Sequence, residues 1–404
     1  MKIFWLGGVA EEEKFKKMLE KGNTQIAANI TQLNYIEGLE EVTGKSIKIL
    51  NSHYEPSFPK YKELFIRRKK WVRKGKENID IGFINIPFFK YINKAIVLRG
   101  EMKKIIKNEL TSNDLNVFFI YAMTLPLMLL TPFIRKNIKN KNYTICLIIP
   151  DLPEFMNMTK QSKLRKILST VNKRLIYKCM KYIDKYVLFT ESMAKYLKLN
   201  KNQYIVIEGM VNLKRNKKLE YVSNFEKKNY IMYAGGMNKK YGVLNLAKAF
   251  NNIKELNVEL WLYGDGDAVE EINKLSLIDK RIKYKGIVTN EEILVAEQNA
   301  RLLINPRPVN EEYTKYSFPS KNMEYMLSGT PLLTTNLPAM PKEYKKYVYI
   351  IDDESISGIQ KKLTELLNKD IKKLNIKGRE ARDFVMKEKN NKEQAKKIIA
   401  FLGE

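Results

Sequence analysis

The run Tyr316-Ser317-Phe318-Pro319-Ser320-Lys321-Asn322-Met323-Glu324 combines residue types and spacings that suit one kind of chemistry. Pro319 fits the first turn of a helix, and Gly329 followed by Pro331 would close that helix at its other end. Met323, Met326 and Leu327 then fall at i, i+3 and i+4 and would face a core. Ser317, Ser320 and Glu324 share a different side, close to the helix N-terminus. Such a terminus offers unpaired N–H groups and a partial positive charge, which suit a phosphate. A carboxylate one turn further in can accept two hydrogen bonds from a vicinal diol such as a ribose. Phosphate beside ribose is a nucleotide. A buried helix with one surface glutamate is the other reading of the same residues.

Other candidates lie at strand ends. Gly7-Gly8 follow the first apolar run, where glycines let the backbone approach a ligand, although any tight strand-to-helix turn could use them. Asp151 ends the apolar run Ile148-Ile149-Pro150 and either carries chemistry or caps a turn; Glu154 and Glu208 are further carboxylates. Lys239 and Lys240 follow Gly235-Gly236. Asp265-Gly266-Asp267 has the form of a metal-binding Asp-x-Asp but reads better as a turn at a strand end. With His53 as the one histidine there is little material for a His-based metal site or triad, and no metal is expected.

The 404 residues, 44% hydrophobic, have room for two domains of ordinary size. The apolar opening Ile3–Leu6 is short for a signal peptide and is soon followed by Glu11-Glu12-Glu13, while Cys146 and Cys179 fit a reducing compartment, so the cytoplasm is the expected location. The formal charge of +28 favours anionic partners, or else reflects lysines scattered over a Lys/Ile/Asn-rich surface. No RNP-type run or Cys/His finger is present, so nucleic acid is not an expected partner. Val117–Leu130 is strongly apolar, yet Pro126 interrupts it and it falls short of the roughly 20 residues of a membrane span. A buried strand running into a helix fits it better.

The elements that would position these residues alternate between strand and helix, which reads as α/β with parallel sheets. The first half offers strands at Lys2–Leu6, Ser46–Leu50, Ile79–Ile86, Leu115–Tyr121, Tyr143–Ile149, Lys185–Phe189 and Tyr204–Ile207. The second offers Tyr230–Ala234, Val258–Tyr263, Ile282–Lys285, Arg301–Ile304, Pro331–Thr335 and Tyr347–Ile351. The polar stretch Asn212–Asn229 reads as the join, and the pattern beyond Ser355 is helical. Two basic stretches, Arg67–Lys76 with Trp71 and Lys160–Lys185 with Leu164, Ile167, Leu168, Val171, Leu175 and Ile176, read either as solvated faces or as surfaces for an anionic membrane.

The segment YSFPSKNMEYMLSGTPLLTTNLPAMPKEY, Tyr316–Tyr344, resembles the nucleotide-sugar segment of retaining GT-B glycosyltransferases of the GT4 type, as found in bacterial capsular and surface polysaccharide synthesis. YIMYAGGMNKKYGVLNLAKAF, Tyr230–Phe250, and LWLYGDGD, Leu260–Asp267, resemble two more segments of that family. The resemblance implies two Rossmann-like domains facing across a cleft. Residues 1–212 with 389–404 would bind the acceptor, residues 213–388 the donor, and the helix Asn391–Leu402 would cross back to the first domain. Glu324 would hold the donor ribose, and the turn Ser317, Phe318, Pro319 and Ser320 would hold sugar and phosphates.

Three positions depart from the family pattern. Tyr316 stands where another glutamate is usual, Gly236 where an arginine is, and Tyr241 where a lysine is. Lys240, or Lys239, would then supply the cation for the diphosphate. Gly7 and Gly8 would face that diphosphate, Asp151 would position acceptor or transition state, and Glu208 would lie at the interdomain edge. The implied reaction moves a sugar from a UDP or GDP donor to a polysaccharide or lipid-linked saccharide, with retention and with no cofactor or metal. A catalytically silent homologue, motivated by Tyr316, and a nucleotide-sugar epimerase are the rivals.

Overall fold

The computed structural model describes residues 1–11, 14–15, 17–18, 26–111, 113–139, 142–155, 163–212, 214, 228–254 and 257–403. Contacts divide the chain into two units, Met1–Glu208 with Asn391–Glu404, and Gly209–Asn390. The stretch Asn212–Asn229, read as the join, falls mostly outside the described residues.

The first unit runs β1 (Lys2–Gly7), α1 (Ile26–Thr43), β2 (Lys48–Asn51), β3 (Phe65–Ile66), β4 (Lys69–Arg73), β5 (Lys76–Asp80), β6 (Phe83–Ile84) and α2 (Phe89–Asn108). It continues through β7 (Asn116–Tyr121), α3 (Leu125–Met128), α4 (Leu130–Asn137), β8 (Tyr143–Ile149), α5 (Lys163–Cys179), β9 (Lys185–Leu188), α6 (Glu191–Leu197) and β10 (Tyr204–Val206). Its main sheet has the order β10-β9-β8-β7-β1-β2-β5-β4. Every pairing is parallel except β4 with β5. Covered on both faces, its inner strands are near-continuous apolar runs, and all six residues of β7 are buried. Val117–Leu130 is such a strand running into α3, with Pro126 in the helix's first turn.

Two expectations in this unit need correction. Ile79–Ile86 is not one strand: β5 ends at Asp80, and Phe83–Ile84 pairs instead with β3. Arg67–Lys76 is mostly a hairpin, β4 turning into β5 through Lys74 and Gly75, both at positive φ, as a two-residue hairpin turn requires. Several of its cations are engaged within the unit: Arg68 with Glu101, Lys70 with Glu77, and Arg73 and Lys74 with Glu40, while Arg67 and Lys69 are exposed. Trp71 donates its indole N–H to Asp80 at 2.9 Å and is half-buried, so it does not stand out as an interfacial aromatic.

The second unit runs β11 (Tyr230–Ala234), α7 (Val243–Asn251), β12 (Glu259–Tyr263), α8 (Val269–Ile278), β13 (Ile282–Gly286), α9 (Asn290–Asn299), β14 (Leu302–Asn305), α10 (Ser320–Leu327), β15 (Leu332–Thr335), β16 (Tyr349–Ile351), α11 (Ile356–Leu367) and α12 (Ile371–Glu388). Its six strands are all parallel, in the order β13-β12-β11-β14-β15-β16. Side chains of β11 alternate between two cores: Ile231 and Tyr233 join Leu246, Phe250 and Leu363, while Met232 and Ala234 join Met326, Tyr344 and Phe384.

The last helix, α13 (Asn391–Gly403), belongs to the first unit and packs on α1, as the resemblance implied. Gly38 admits it: a Cβ there would lie 2.2 Å from the Asn391 carbonyl oxygen. Lys392 pairs with Glu41 at 3.4 Å, and Ile398, Phe401 and Leu402 are buried.

Candidate nucleotide site

In the second unit the strand order reverses between β11 and β14. The connections leaving the C-terminal ends of two such strands diverge and leave a crevice, the usual place for a ligand in an open α/β sheet. Helix α10 is fastened over those ends by buried polar side chains. The Tyr325 hydroxyl accepts from the Ala234 N–H at 2.7 Å and donates to the Ala234 carbonyl at 3.0 Å, at the end of β11. Asn322 accepts from Asn305, at the end of β14, at 2.6 Å and donates to Thr334 of β15 at 3.3 Å. Met323 and Met326 are buried below, as their spacing required.

Pro319 is the N-cap of α10 and Ser320 its first residue, one step later than the first-turn position expected for the proline. Proline brings no side-chain cap, so the Ser320 and Lys321 N–H groups meet no capping side chain, while the Asn322 N–H donates to the Pro319 carbonyl at 2.9 Å. Ser320 is exposed, and Ser317 and Tyr316 are half-buried, with the Tyr316 N–H on the Tyr313 carbonyl at 3.0 Å. The Phe318 side chain is buried against Tyr344, ring centroids 5.2 Å apart, so its backbone is what this residue can offer a ligand. Pro319 is buried as well.

Glu324 is half-buried and holds Lys321 Nζ at 2.8 Å on one carboxylate oxygen. Behind them lies Glu297 of α9, fully buried, with neither carboxylate oxygen hydrogen-bonded and Lys321 Nζ 3.9 Å away. Burial pushes the Glu297 carboxyl well above the ordinary carboxylate range; the charge of Glu324 adds to this and Lys321 opposes it. For Lys321 burial disfavours the charge, but Glu324 and Glu297 outweigh it and its pKa is raised.

Gly236 is half-buried on the loop after β11, and its N–H has no acceptor among the described residues. Lys239 is engaged by Glu271. Lys240 is exposed, its Nζ 5.3 Å from the Tyr241 ring centroid, and has no carboxylate partner among the described residues. Asp265 and Asp267 build a turn: Asp265 accepts from the Gly266 N–H at 2.8 Å and Asp267 from the Lys239 N–H at 2.7 Å. A second cation, absent from the sequence reading, is Arg307 on the loop after β14. Its guanidinium lies 5.2 Å from the Tyr241 ring centroid and 5.0 Å from that of Tyr313.

In the first unit Gly7 and Gly8 are at the end of β1, but the turn is occupied from within. The Gly8, Val9 and Ala10 N–H groups donate to Gln32, Asn51 and Asn29 at 2.9, 2.9 and 2.8 Å. A Cβ on Gly7 would lie 2.2 Å from Gln32 Oε1. The glycines make room for this amide cluster, and the Gly8 N–H is taken by it. Asp151 is exposed just beyond β8; Glu154 accepts from the Tyr177 hydroxyl at 2.8 Å, and Glu208 is buried. His53, which sequence reasoning set aside, is buried with its Nε2 3.2 Å from Asp80. Burial alone would raise the Asp80 pKa, but the hydrogen bonds and charges of His53 and Lys14 win, and the carboxyl is held well below the ordinary range.

Residues 228–369 match the family model described as glycosyl transferases group 1. The match falls within the second unit. Solved structures extend the likeness to the whole chain. Sucrose-phosphate synthase from Thermosynechococcus elongatus is 12% identical with a TM-score of 0.63, over 100% of this chain and 98% of that one. Anabaena HepE, in complex with UDP, is 13% identical with a TM-score of 0.64, over 100% of both chains. The lipopolysaccharide outer core galactosyltransferase WaaB is 14% identical with a TM-score of 0.64, over 100% of this chain and 99% of that one. No curated protein matches the chain. At these identities the structures show the fold, which is GT-B. The group 1 match contains α10, Glu324, Lys321, Glu297, Gly236, Lys240 and Arg307, whereas Gly7, Gly8 and Asp151 lie outside it.

Proposed function

We propose that the protein transfers a sugar, with retention, from a UDP or GDP donor to a polysaccharide or lipid-linked saccharide acceptor. One observation carries the reading: within the group 1 match, an uncapped helix N-terminus and a half-buried glutamate one turn on stand at the β11/β14 switch point. In this reading Glu324 accepts from the ribose hydroxyls. The Ser317–Ser320 turn and the first turn of α10 direct N–H groups at sugar and phosphates. Negative charge developing on the leaving diphosphate is stabilised by helix terminus and cations, without metal or cofactor. Sugar would leave and acceptor arrive on the same face, assisted by the leaving phosphate, with Asp151 of the first unit positioning the acceptor. Tyr316 favours one alternative, a silent homologue that stabilises a partner enzyme.

A panel of nucleotide sugars, with and without EDTA, decides between these readings by release of free nucleotide. Slow hydrolysis of one donor that survives EDTA supports the transferase. An isomerised sugar would indicate an epimerase, no turnover the silent homologue, and activity restored only by magnesium or manganese a metal enzyme.

A peripheral position on anionic membrane is part of the proposal, and α5 supports it better than the β4–β5 hairpin. Ile167, Val171 and Leu175 stand exposed at four-residue intervals, with Lys166, Arg174 and Lys178 exposed around them. The stretch's start, residues 160–162, lies outside the described residues, which include no helix long and apolar enough to cross a membrane. Each cation near an anionic surface contributes about 1 kcal/mol. Sedimentation with phosphatidylglycerol vesicles, but not neutral ones, is expected at low salt, and Ile167→Glu with Val171→Glu should abolish it. Equal behaviour toward both vesicles would remove the membrane from the reading.

A further inference from the structure

We infer that Arg307 is the cation that receives the donor's diphosphate, and that Tyr241 and Tyr313 are the surfaces that hold its guanidinium ready. The inference rests on the nucleotide reading above and adds a residue which that reading does not contain. At the two positions where the resemblance expects cations, this chain has Gly236 and Tyr241. A diphosphate bound there would lack its counter-charge unless another part of the unit supplied one.

The loop after β14 supplies it. Gly242 is at φ +78°, and a Cβ on it would lie 2.2 Å from the Pro306 carbonyl oxygen, so the loops leaving β11 and β14 press backbone against backbone. This contact brings Arg307 beside Tyr241. The Tyr241 and Tyr313 rings meet edge to face, centroids 6.4 Å apart at 73°, and Arg307 is placed over both. The loop itself is braced. The Thr335 hydroxyl donates to the Arg307 carbonyl at 2.5 Å, and the Val309 N–H donates to both Glu354 carboxylate oxygens at 3.1 Å.

Arg307 is half-buried, and no carboxylate pairs with it among the described residues. A half-buried guanidinium with aromatic partners and no counter-ion, at the C-terminal ends of the switch strands, is organised for an anion that arrives from outside. Its planar fork presents two N–H groups to two oxygens of a phosphate, and stacking reduces the rotamer freedom lost when it does so. Lys239 is engaged by Glu271, and Lys240 is exposed on a flexible stem. The tyrosine that replaces the expected lysine thus contributes charge indirectly, by holding an arginine.

The test is calorimetry with UDP and GDP, and competition by uridine and guanosine, on wild type and variants checked for folding by thermal melting. Arg307→Met is expected to weaken the nucleoside diphosphate at least about 10-fold and leave the nucleoside unchanged. Arg307→Lys should not restore affinity, because the fork and the stacking are lost. Tyr241→Leu should weaken the diphosphate and Tyr241→Phe keep it, while Lys240→Met should have the smaller effect. Wild-type affinity in Arg307→Met overturns the inference alone; a wild type that binds neither UDP nor GDP overturns the nucleotide reading with it. If Arg307→Met does not fold, Arg307→Lys and Tyr241→Leu decide, and wild-type affinity in both overturns the inference.

Discussion

Each unit begins its sheet with a strand that runs into a pair of glycines, and the two pairs do opposite things. After β1 the N–H groups of Gly8, Val9 and Ala10 are taken by Gln32, Asn51 and Asn29. After β11 the Gly236 N–H has no acceptor among the described residues, and Arg307 and the uncapped end of α10 occupy the same end of the sheet. One glycine turn closes a core; the other, with the Gly235 and Met237 N–H groups on the Tyr263 and Asp265 carbonyls, leaves the Gly236 N–H for a ligand. The motif is therefore informative only with its neighbours, since the residue pair is the same and the hydrogen-bond acceptors differ.

The largest expected effect breaks the closed turn. Asn51 is fully buried; it accepts from the Val9 N–H and donates to the Val9 carbonyl and to Asp80, at 2.9, 2.7 and 2.8 Å. Asn51→Leu leaves those buried groups without partners and should lower stability by about 3–5 kcal/mol, read from the urea midpoint of the first unit's unfolding. Nucleotide affinity, which belongs to the other turn, should be unchanged in the folded protein.

A smaller effect tests the open turn. Glu324→Ala should weaken the nucleotide that wild type binds by roughly 2–3 kcal/mol in calorimetry, with little change in melting temperature. Unchanged affinity would remove Glu324 from the site.

The mildest test compares the two buried carboxyls, whose shifts have opposite signs. Asp80 has a depressed pKa, so its contribution is present above the ordinary carboxylate value and is lost as pH falls through the folded one. Glu297 has a raised pKa, so the folded state holds the proton more tightly; its contribution is present below the ordinary value and is lost as pH rises toward the folded one. Asp80→Asn should flatten the acid side of a stability–pH curve, and Glu297→Gln the neutral side. Curves parallel to wild type in both variants would contradict these environments.

The sheets were legible because parallel strands buried on both faces are written as continuous apolar runs, as in Tyr143–Ile149 and Tyr230–Ala234. The helix bearing Glu324 was legible for its spacing and its closing Gly329. The β4–β5 hairpin was not: Arg68, Arg73 and Lys74 look like part of a solvated face until Glu101 and Glu40, distant in sequence, pair with them. Arg307 escaped notice for the same reason, since Tyr241 lies 66 residues before it and only folding makes them neighbours. The amide cluster under Gly7 did leave a trace: Asn29 and Gln32, on one face of a helix whose other buried residues include Tyr35, Ile36 and Leu39.

The placement of α13 sets an order of events during synthesis. The first unit needs a helix that begins at Asn391, whereas its other residues end at Glu208. On a ribosome, therefore, the whole of Gly209–Asn390 emerges before the first unit can be finished, an interval of roughly 10–40 s at the usual rates of translation. Through that interval the face of α1 around Gly38 is without its cover, and the nascent chain carries an unfinished first unit while the second is still being made.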